Sequence, residues 1–370
     1  MTTSNSSNSA HPKFVIVGAG IIGISTAYRI AQLNPKADIT IISKDFPDSG
    51  LLSPYYTSSK AGAHFRPFPS KNEYEARDSK FTKATYNHFK KLAKEHAETS
   101  IKFMKGIDYL EYDNKLYSTL AKGYTEVVDD FQVIPRGKLP KNVKFGASYE
   151  TFCLNPHVYM NFMLDSLRLR QSIKLITKEV YSLHQVSQMY NDENPIIINC
   201  TGNGLLYDGS HDPACFAIRG QTLLVRPPLD QLDYFNSQTT TFQLANGEWC
   251  FTIPRPLNGG IILGGTKNEK SHDDTPIPEE TEKLIANARS RFPGLFCPET
   301  GKLDIMRVNV GFRPARNLGV RLEREVLQTD KGNVVIVHCY GFAGSGIEMS
   351  WGAAEKAAEL AMFSSTSSKL

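Results

Sequence analysis

Apolar and polar positions along this chain alternate with two different periods, and their order is informative. Lys13 to Val17 is a short apolar run of strand type, and Asp38 to Ile42 is a second. Between them Ile24, Ala27, Tyr28 and Ala31 recur at helical spacing until Asn34-Pro35 ends the helix. Strand, helix and strand within about 30 residues make a βαβ unit. A Ser/Pro/Gly-rich stretch from Pro47 to Pro69 follows. It is long for a connection in a compact domain, and long loops are often functional.

Residues 71–105 read as a polar helical region, with Lys and Glu on the exposed faces. Residues 173–186 read as strand, and Pro195 to Cys200 is a short apolar strand that runs into Thr201-Gly202-Asn203-Gly204. Residues 219–266 read as antiparallel β-structure. Gln221 to Val225 is one strand, and Phe251–Pro254 and Gly260–Gly264 flank the turn signal Asn258-Gly259-Gly260. A helix is expected from Glu279 to Arg291, after Pro278. Val320–Leu327 and Val334–Cys339 flank Asp330-Lys331-Gly332-Asn333 as another hairpin. The last strand enters a glycine turn, Gly341 to Gly346, and then an Ala-rich helix from Ile347 to Met362. A nucleotide-binding domain assembled from both chain ends, with a substrate domain inserted between, explains this order simply.

Composition narrows the class. With 370 residues, 41% of them hydrophobic, the chain is long enough for a large core in one or two domains. A net charge of +4 is too small to argue for nucleic acid or an anionic membrane, and no apolar run is long enough to span a bilayer. None of the six cysteines stands in a C-x-x-C spacing, so free thiols in a reducing compartment are expected and no metal site is. Met1 to Pro12 lacks a basic n-region and reads as a flexible leader rather than a signal peptide. Ser368-Lys369-Leu370 reads as a peroxisomal address, which would make an import receptor a partner and the peroxisome matrix the expected location.

The first strand ends in Gly18-Ala19-Gly20-Ile21-Ile22-Gly23. Gly18 permits the tight turn, Gly20 lets backbone approach a pyrophosphate, and Gly23 lets the helix pack on the strand. Free N–H groups at the helix start favour phosphates. Which dinucleotide binds is left open by these residues alone. Ser43 stands where an acidic ribose ligand is usual, Lys44 beside it could read a 2′-phosphate of NADPH, and Asp45 could reach the ribose.

Further motifs come in a fixed order: Ala61-Gly62-Ala63, Asn199-Cys200-Thr201-Gly202, Arg219-Gly220-Gln221, Ile253-Pro254-Arg255-Pro256, Gly311-Phe312-Arg313-Pro314-Ala315-Arg316, the charged strand Arg321–Glu325, His338 through Gly346, and Trp351-Gly352. Together, over residues 13 to 360 or so, they resemble the D-amino acid oxidase family, of the fungal peroxisomal type. The resemblance implies FAD rather than a nicotinamide. It implies a mixed α/β fold: a Rossmann-like FAD-binding domain from both chain ends and an antiparallel sheet as substrate domain. The expected boundaries are 13–70, 155–210 and 305–363 for the first, 71–154 and 211–304 for the second, with 1–12 and 364–370 as tails. Members often form dimers or tetramers, so a homo-oligomer is possible.

By the same resemblance, Gly18 to Gly23 hold the pyrophosphate, and Ser43, Lys44 and Asp45 lie near the adenosine with Val180, Cys200, Thr201 and Gly202. Ala61, Gly62 and Gly311 are further cofactor contacts. Gly344, Gly346, Ile347 and Glu348 surround the flavin ring. Arg313 matches the arginine that binds the substrate α-carboxylate through two parallel hydrogen bonds. The Gly344 carbonyl would accept from the substrate amine, with Ser345 beside it. The implied reaction is hydride transfer from Cα to flavin N5. The reduced flavin is then reoxidised by molecular oxygen to give peroxide, with a 2-oxo acid and ammonia as the other products.

One departure matters. Where the family usually has a tyrosine that helps bind the carboxylate, this chain has Phe251; Trp249 shares its face in a regular strand, and Tyr234 is a further candidate. An acidic side chain in the pocket would need a second cation, for which His64, Arg66 and Arg255 are candidates. These features point to an acidic D-amino acid, D-aspartate or D-glutamate. The alternatives are neutral D-amino acids, a sarcosine- or glycine-oxidase-like activity, a non-catalytic FAD-binding protein, or an NADPH-dependent dehydrogenase.

Overall fold

A computed structural model describes residues 12–50, 53–170, 173–190, 194–329 and 332–363. Residues 1–11 and 364–370, including Ser368-Lys369-Leu370 and thus the expected tails apart from Pro12, lie outside the described residues. The chain begins with β1 (Lys13–Val17), α1 (Ile21–Leu33) and β2 (Asp38–Ser43), as the periodicity predicts. It continues through α2 (Glu73–Glu95), β3 (Lys102–Leu110), α3 (Lys115–Ser118), β4 (Gln132–Val133), β5 (Phe145–Cys153), α4 (Pro156–Arg170), β6 (Ile173–Thr177), α5 (Leu183–Gln188) and β7 (Ile196–Asn199). Then follow β8 (Cys215–Arg226), α6 (Leu232–Ser237), β9 (Gln238–Gln243), β10 (Trp249–Pro254), β11 (Ile261–Gly264) and α7 (Pro278–Arg291). The chain closes with β12 (Asp304–Arg316), β13 (Arg321–Thr329), β14 (Gly332–Tyr340) and α8 (Ser350–Met362).

Two sheets organise these elements. The six-stranded sheet has the order β13-β14-β7-β1-β2-β6, with β13 antiparallel to an otherwise parallel set. From β1 the chain crosses to β2 on one side and later returns to β7 on the other. That reversal opens a crevice at the carboxyl ends of β1 and β7, where ligands of such sheets bind. α1, α4 and α8 pack together over one face, and their contacts are apolar: Ile24, Ala27, Leu164, Ala353 and Ala357 are fully buried.

The eight-stranded sheet runs β12-β8-β11-β10-β9-β3-β5-β4. Its strands alternate. Leu223, Val225, Ile261 and Leu263 face α7 with Leu284 and Ala288, and Leu224, Ile253 and Ile262 face the opposite way.

Four expectations change. The helical region 71–105 ends at Glu95, where His96 leaves helical geometry at φ −139°, and Ser100, left-handed at φ 64°, then turns the chain into β3. The strand expected over 173–186 stops at Thr177. Ser182 then caps α5, its Oγ accepting from the Gln185 N–H at 3.0 Å. The C-terminal helix starts at Ser350, three residues late, with 347–349 forming turns. Lastly, residues 304–316 form a strand paired along its length with β8, so 305–316 belong with the eight-stranded sheet and not with the nucleotide-binding one. α2 likewise lies against α8, where a Cβ on Gly352 would stand 2.4 Å from the Phe81 carbonyl.

Candidate active site

The glycine turn is built as its three glycines require. Gly18 sits at φ +105°, and a Cβ there would stand 2.4 Å from the Cys200 carbonyl oxygen. A Cβ on Gly23 would lie 1.9 Å from the Gly18 oxygen, so Gly23 sets the packing of α1 on the turn and does not itself line the cleft. Gly20 faces Ser58, whose Oγ accepts the Ile21 N–H at 3.0 Å. α1 has no acidic residue in its first turn, so nothing cancels the positive end of its dipole. Tyr56 braces the turn from below, its hydroxyl donating to the Ala19 carbonyl at 2.6 Å.

From this turn a cleft of about 800 Å³ runs between the two sheets. At one end it is lined by Gly18, Ala19, Gly20, Ile21, Ile22, Ser43, Lys44, Asp45, Cys200, Thr201 and Gly202. At the other it is lined by Ala61, Gly62, His64, Phe251, Gly311, Arg313, Gly344, Gly346, Ile347 and Glu348. A cleft lined by a helix N-terminus without acidic side chains and by a guanidinium fits a dinucleotide with a small acid beside it. Val180 departs from expectation: it packs into the core beneath β1 and β7, and its neighbour Glu179 lines the cleft instead. Glu179 also pairs with Lys44 at 2.9 Å, and the Ser43 hydroxyl is held by the Asp45 carbonyl at 2.8 Å. The one lysine that raised a 2′-phosphate is thus already matched by a carboxylate.

Arg313 is the centre of the other end. Burial lowers the pKa of its guanidinium, and among the described residues no carboxylate pairs with it; Nη1 donates only to the Thr266 carbonyl at 3.3 Å. Gly220, directly across from Gly311, makes room for it: a Cβ at 220 would stand 2.3 Å from Nη1. Gly344 comes close as well, its Cβ position 3.8 Å from the Arg313 Cδ. The turn that carries Gly344 is tied to β12 by the Ala343 N–H, which donates to the Pro314 carbonyl at 2.8 Å. So the two sheets meet where Arg313 and Gly344 meet.

The candidate cations behave differently from one another. Arg66 is engaged by Asp108 at 3.0 Å and lies 4.5 Å from the Trp249 ring, so neither Arg66 nor Trp249 lines the cleft. Arg255 donates to the carbonyls of Gly62 (2.9 Å), Ser59 (3.2 Å) and Ala61, and pins the 59–62 segment onto β10. Burial, with Arg307 nearby, pulls its pKa down to about 9. His64 does line the cleft. Burial and then the Arg66 charge push it down to about 3, so it is neutral near pH 7, and its Nδ1 has no partner among the described residues. Tyr234 lies on α6, 53% exposed and outside the cleft. Ser345 does not line the cleft either; it hydrogen-bonds to the Glu348 carboxylate.

Glu348 is buried in the cleft wall, and loss of hydration raises its carboxyl to about 7 against the Ser345 and Arg66 hydrogen bonds that lower it. Lys60 was not anticipated. It lines the cleft, its stem lies over Gly311 (3.3 Å from a Cβ there), and its Nζ donates to Ser59 Oγ at 3.0 Å. Burial, then Arg307, lowers it to about 8 despite Asp45. Its position next to Ala61-Gly62-Ala63 was the available signal. Among the described residues no group of His, Cys, Asp or Glu is arranged to hold a metal ion.

This geometry agrees with the comparisons. Residues 13–360 match the model of the family described as FAD dependent oxidoreductase. The chain belongs to that family. A D-aspartate oxidase from Talaromyces thermophilus is 34% identical, with 95% of each chain covered. A D-amino-acid oxidase from Schizosaccharomyces pombe is 32% identical, over 94% of this chain and 95% of its own. Among solved structures, a glycine oxidase from Bacillus cereus superposes with a TM-score of 0.67 at 14% identity, covering 95% of this chain and 94% of its own. An L-proline dehydrogenase from P. horikoshii gives 0.68 at 16%, covering 95% and 93%. These two likenesses concern the fold alone. As a member of this flavoenzyme family, the chain is an FAD-dependent oxidoreductase of the D-amino acid or D-aspartate oxidase type, and FAD is its cofactor.

Proposed function

We propose that this flavoenzyme oxidises acidic D-amino acids, D-aspartate first, to the 2-oxo acid, ammonia and hydrogen peroxide. The observation that carries the acidic preference is the charge at the substrate end of the cleft. Arg313 lines it with no carboxylate partner among the described residues, and the carboxyl group there, Glu348, is held near neutrality; Lys60 lines the same cleft, with Arg255 and Arg307 close enough to lower its pKa. A dianionic substrate suits such a place, since a buried charge without a partner is costly. The relatives' names do not separate the two readings, because D-aspartate and D-amino-acid oxidases match at 34% and 32%.

In this reading Arg313 holds the α-carboxylate and so fixes the direction of the Cα–H bond. The Gly344 carbonyl accepts from the substrate amine. A neutral His64 donates one hydrogen bond, and Phe251 forms an apolar wall that excludes water beside the reacting carbon. When bound, FAD supplies the chemistry of hydride acceptance and electron transfer to oxygen. The protein contributes orientation and a dry site, and no side chain is required as base when the amine arrives neutral.

A peroxide assay of the FAD-loaded enzyme with D-aspartate, D-glutamate, D-alanine and L-aspartate tests this. D-Aspartate should give the highest kcat/KM and L-aspartate none. A clear preference for D-alanine would replace the acidic reading with the neutral one.

A further inference from the structure

The eight-stranded sheet carries one polar row that faces the cleft and that the roles above do not use. Across β12, β8, β11 and β10 the register sets Asn309 opposite Thr222, Thr222 opposite Gly264, and Gly264 opposite Phe251. Directly opposed residues of an antiparallel sheet share a face, so these four form a single row. Asn309, Thr222 and Phe251 all line the cleft. One rung along lie Gly220 and Gly311, with the Arg313 guanidinium in the space above Gly220. The Asn309–Thr222 pair is therefore the next feature along the strands from that guanidinium, two residues or about 7 Å away by strand rise.

Its chemistry stands out from its surroundings. Thr222 and Asn309 are buried, at 8% and 4% exposure. Asn309 Nδ2 donates to Thr222 Oγ1 over a long 3.4 Å, and among the described residues neither side chain makes another hydrogen bond. That leaves the second amide N–H and the amide oxygen of Asn309 and the hydroxyl hydrogen of Thr222 without a partner among the described residues, on side chains of residues that line the cleft. The rest of the row is a glycine and a phenyl ring, and the following row is Arg307, Leu224, Ile262 and Ile253, of which Arg307 is exposed and does not line the cleft. Two donors at fixed places in this wall recognise a polar group by position. A ligand that covers them with carbon leaves both unsatisfied, and discrimination of this kind is strong.

We propose that Thr222 and Asn309 are the specificity-determining pair that receives the side-chain carboxylate of an acidic D-amino acid while Arg313 holds the α-carboxylate. This rests on the acidic-substrate reading above.

The test uses the FAD-loaded enzyme and two anions that are not oxidised, malonate and acetate, whose binding is read from the change in bound-flavin absorption. Thr222→Val and Asn309→Leu should each weaken malonate roughly ten- to a hundredfold, as for lost hydrogen bonds to a charged group. Acetate affinity should change less than about twofold, since it needs only Arg313. Thr222→Ser keeps the hydroxyl and should retain malonate binding, which separates the contact from a folding defect. Steady-state kinetics should follow, with KM for D-aspartate raised and the ratio of kcat/KM for D-aspartate to that for D-alanine lowered. Wild-type enzyme that binds the two anions alike contradicts the acidic reading and this pair with it. Wild-type preference for malonate that survives both substitutions, or equal losses for malonate and acetate, overturns this assignment alone.

Discussion

At the scale of single residues, partners decide what a charge can do. His64, Arg66 and Arg255 are equal candidates in the sequence, because sequence counts charges and not their neighbours. In the fold Arg66 belongs to Asp108, Arg255 to three carbonyls, and His64 is neutral. Arg313 was legible, because its motif is dense and ordered. It is also the guanidinium that lines the cleft without a carboxylate partner among the described residues. Arg313→Ala should lower kcat/KM by roughly two to three orders of magnitude, the cost of truncating one half of a buried charge pair, with the flavin spectrum retained. Unchanged kinetics would remove Arg313 from the site. Glu348 gives a prediction in pH. Its folded pKa, about 7, lies above the unfolded value of 4.5, so between these values the folded state binds the extra proton. Stability from this group is therefore full below about pH 4.5 and falls as pH rises through 7, by on the order of 3 kcal/mol at most. Thermal melts of wild type and Glu348→Gln should diverge between pH 5 and pH 8, the variant gaining at pH 8. Parallel curves would show that the carboxyl is not held neutral.

At the scale of elements, the βαβ start and the hairpins were readable because their periods are clean. β12 was not, since Arg307, Asn309, Arg313 and Pro314 interrupt any apolar alternation. Asn309 and Arg313 face a cleft rather than a core, and a functional strand is thereby disguised as a loop. Read as a strand, the period-2 set Asn309, Gly311 and Arg313 would have revealed one face of the site. The glycines of these elements are equally exacting. Gly220→Ala should push the guanidinium aside, since the new Cβ would stand 2.3 Å from Nη1. The expected result is a raised KM with bound flavin and melting temperature little changed, measured by steady-state kinetics and a thermal melt. Gly23→Ala acts on the cofactor instead. Its Cβ would meet the Gly18 oxygen at 1.9 Å, so the purified variant should carry little FAD by its visible absorption. Full flavin content would contradict the packing described for α1.

At the scale of the molecule, the site exists because two sheets meet. The six-stranded sheet brings the glycine turn, Cys200 and the turn at Gly344; the eight-stranded sheet brings Arg313, Phe251, Thr222 and Asn309. The segment 59–62 and Arg255 bind the two together. A ligand lying along that junction stabilises the whole fold by mass action. Removal of FAD should lower the melting temperature, and its return should restore it in proportion to the logarithm of free FAD. The sequence showed that both chain ends build one nucleotide-binding unit. It could not show that β12 crosses to the other sheet, because strand pairing over such separation is a property of the folded chain. The central claim, an FAD enzyme that draws its electrons from a D-amino acid, is tested most directly by anaerobic mixing of the FAD-loaded enzyme with D-aspartate, D-alanine and L-aspartate. The oxidised flavin bands should bleach fastest with D-aspartate, more slowly with D-alanine, and not at all with L-aspartate. Bands that persist with both D-amino acids would contradict the account.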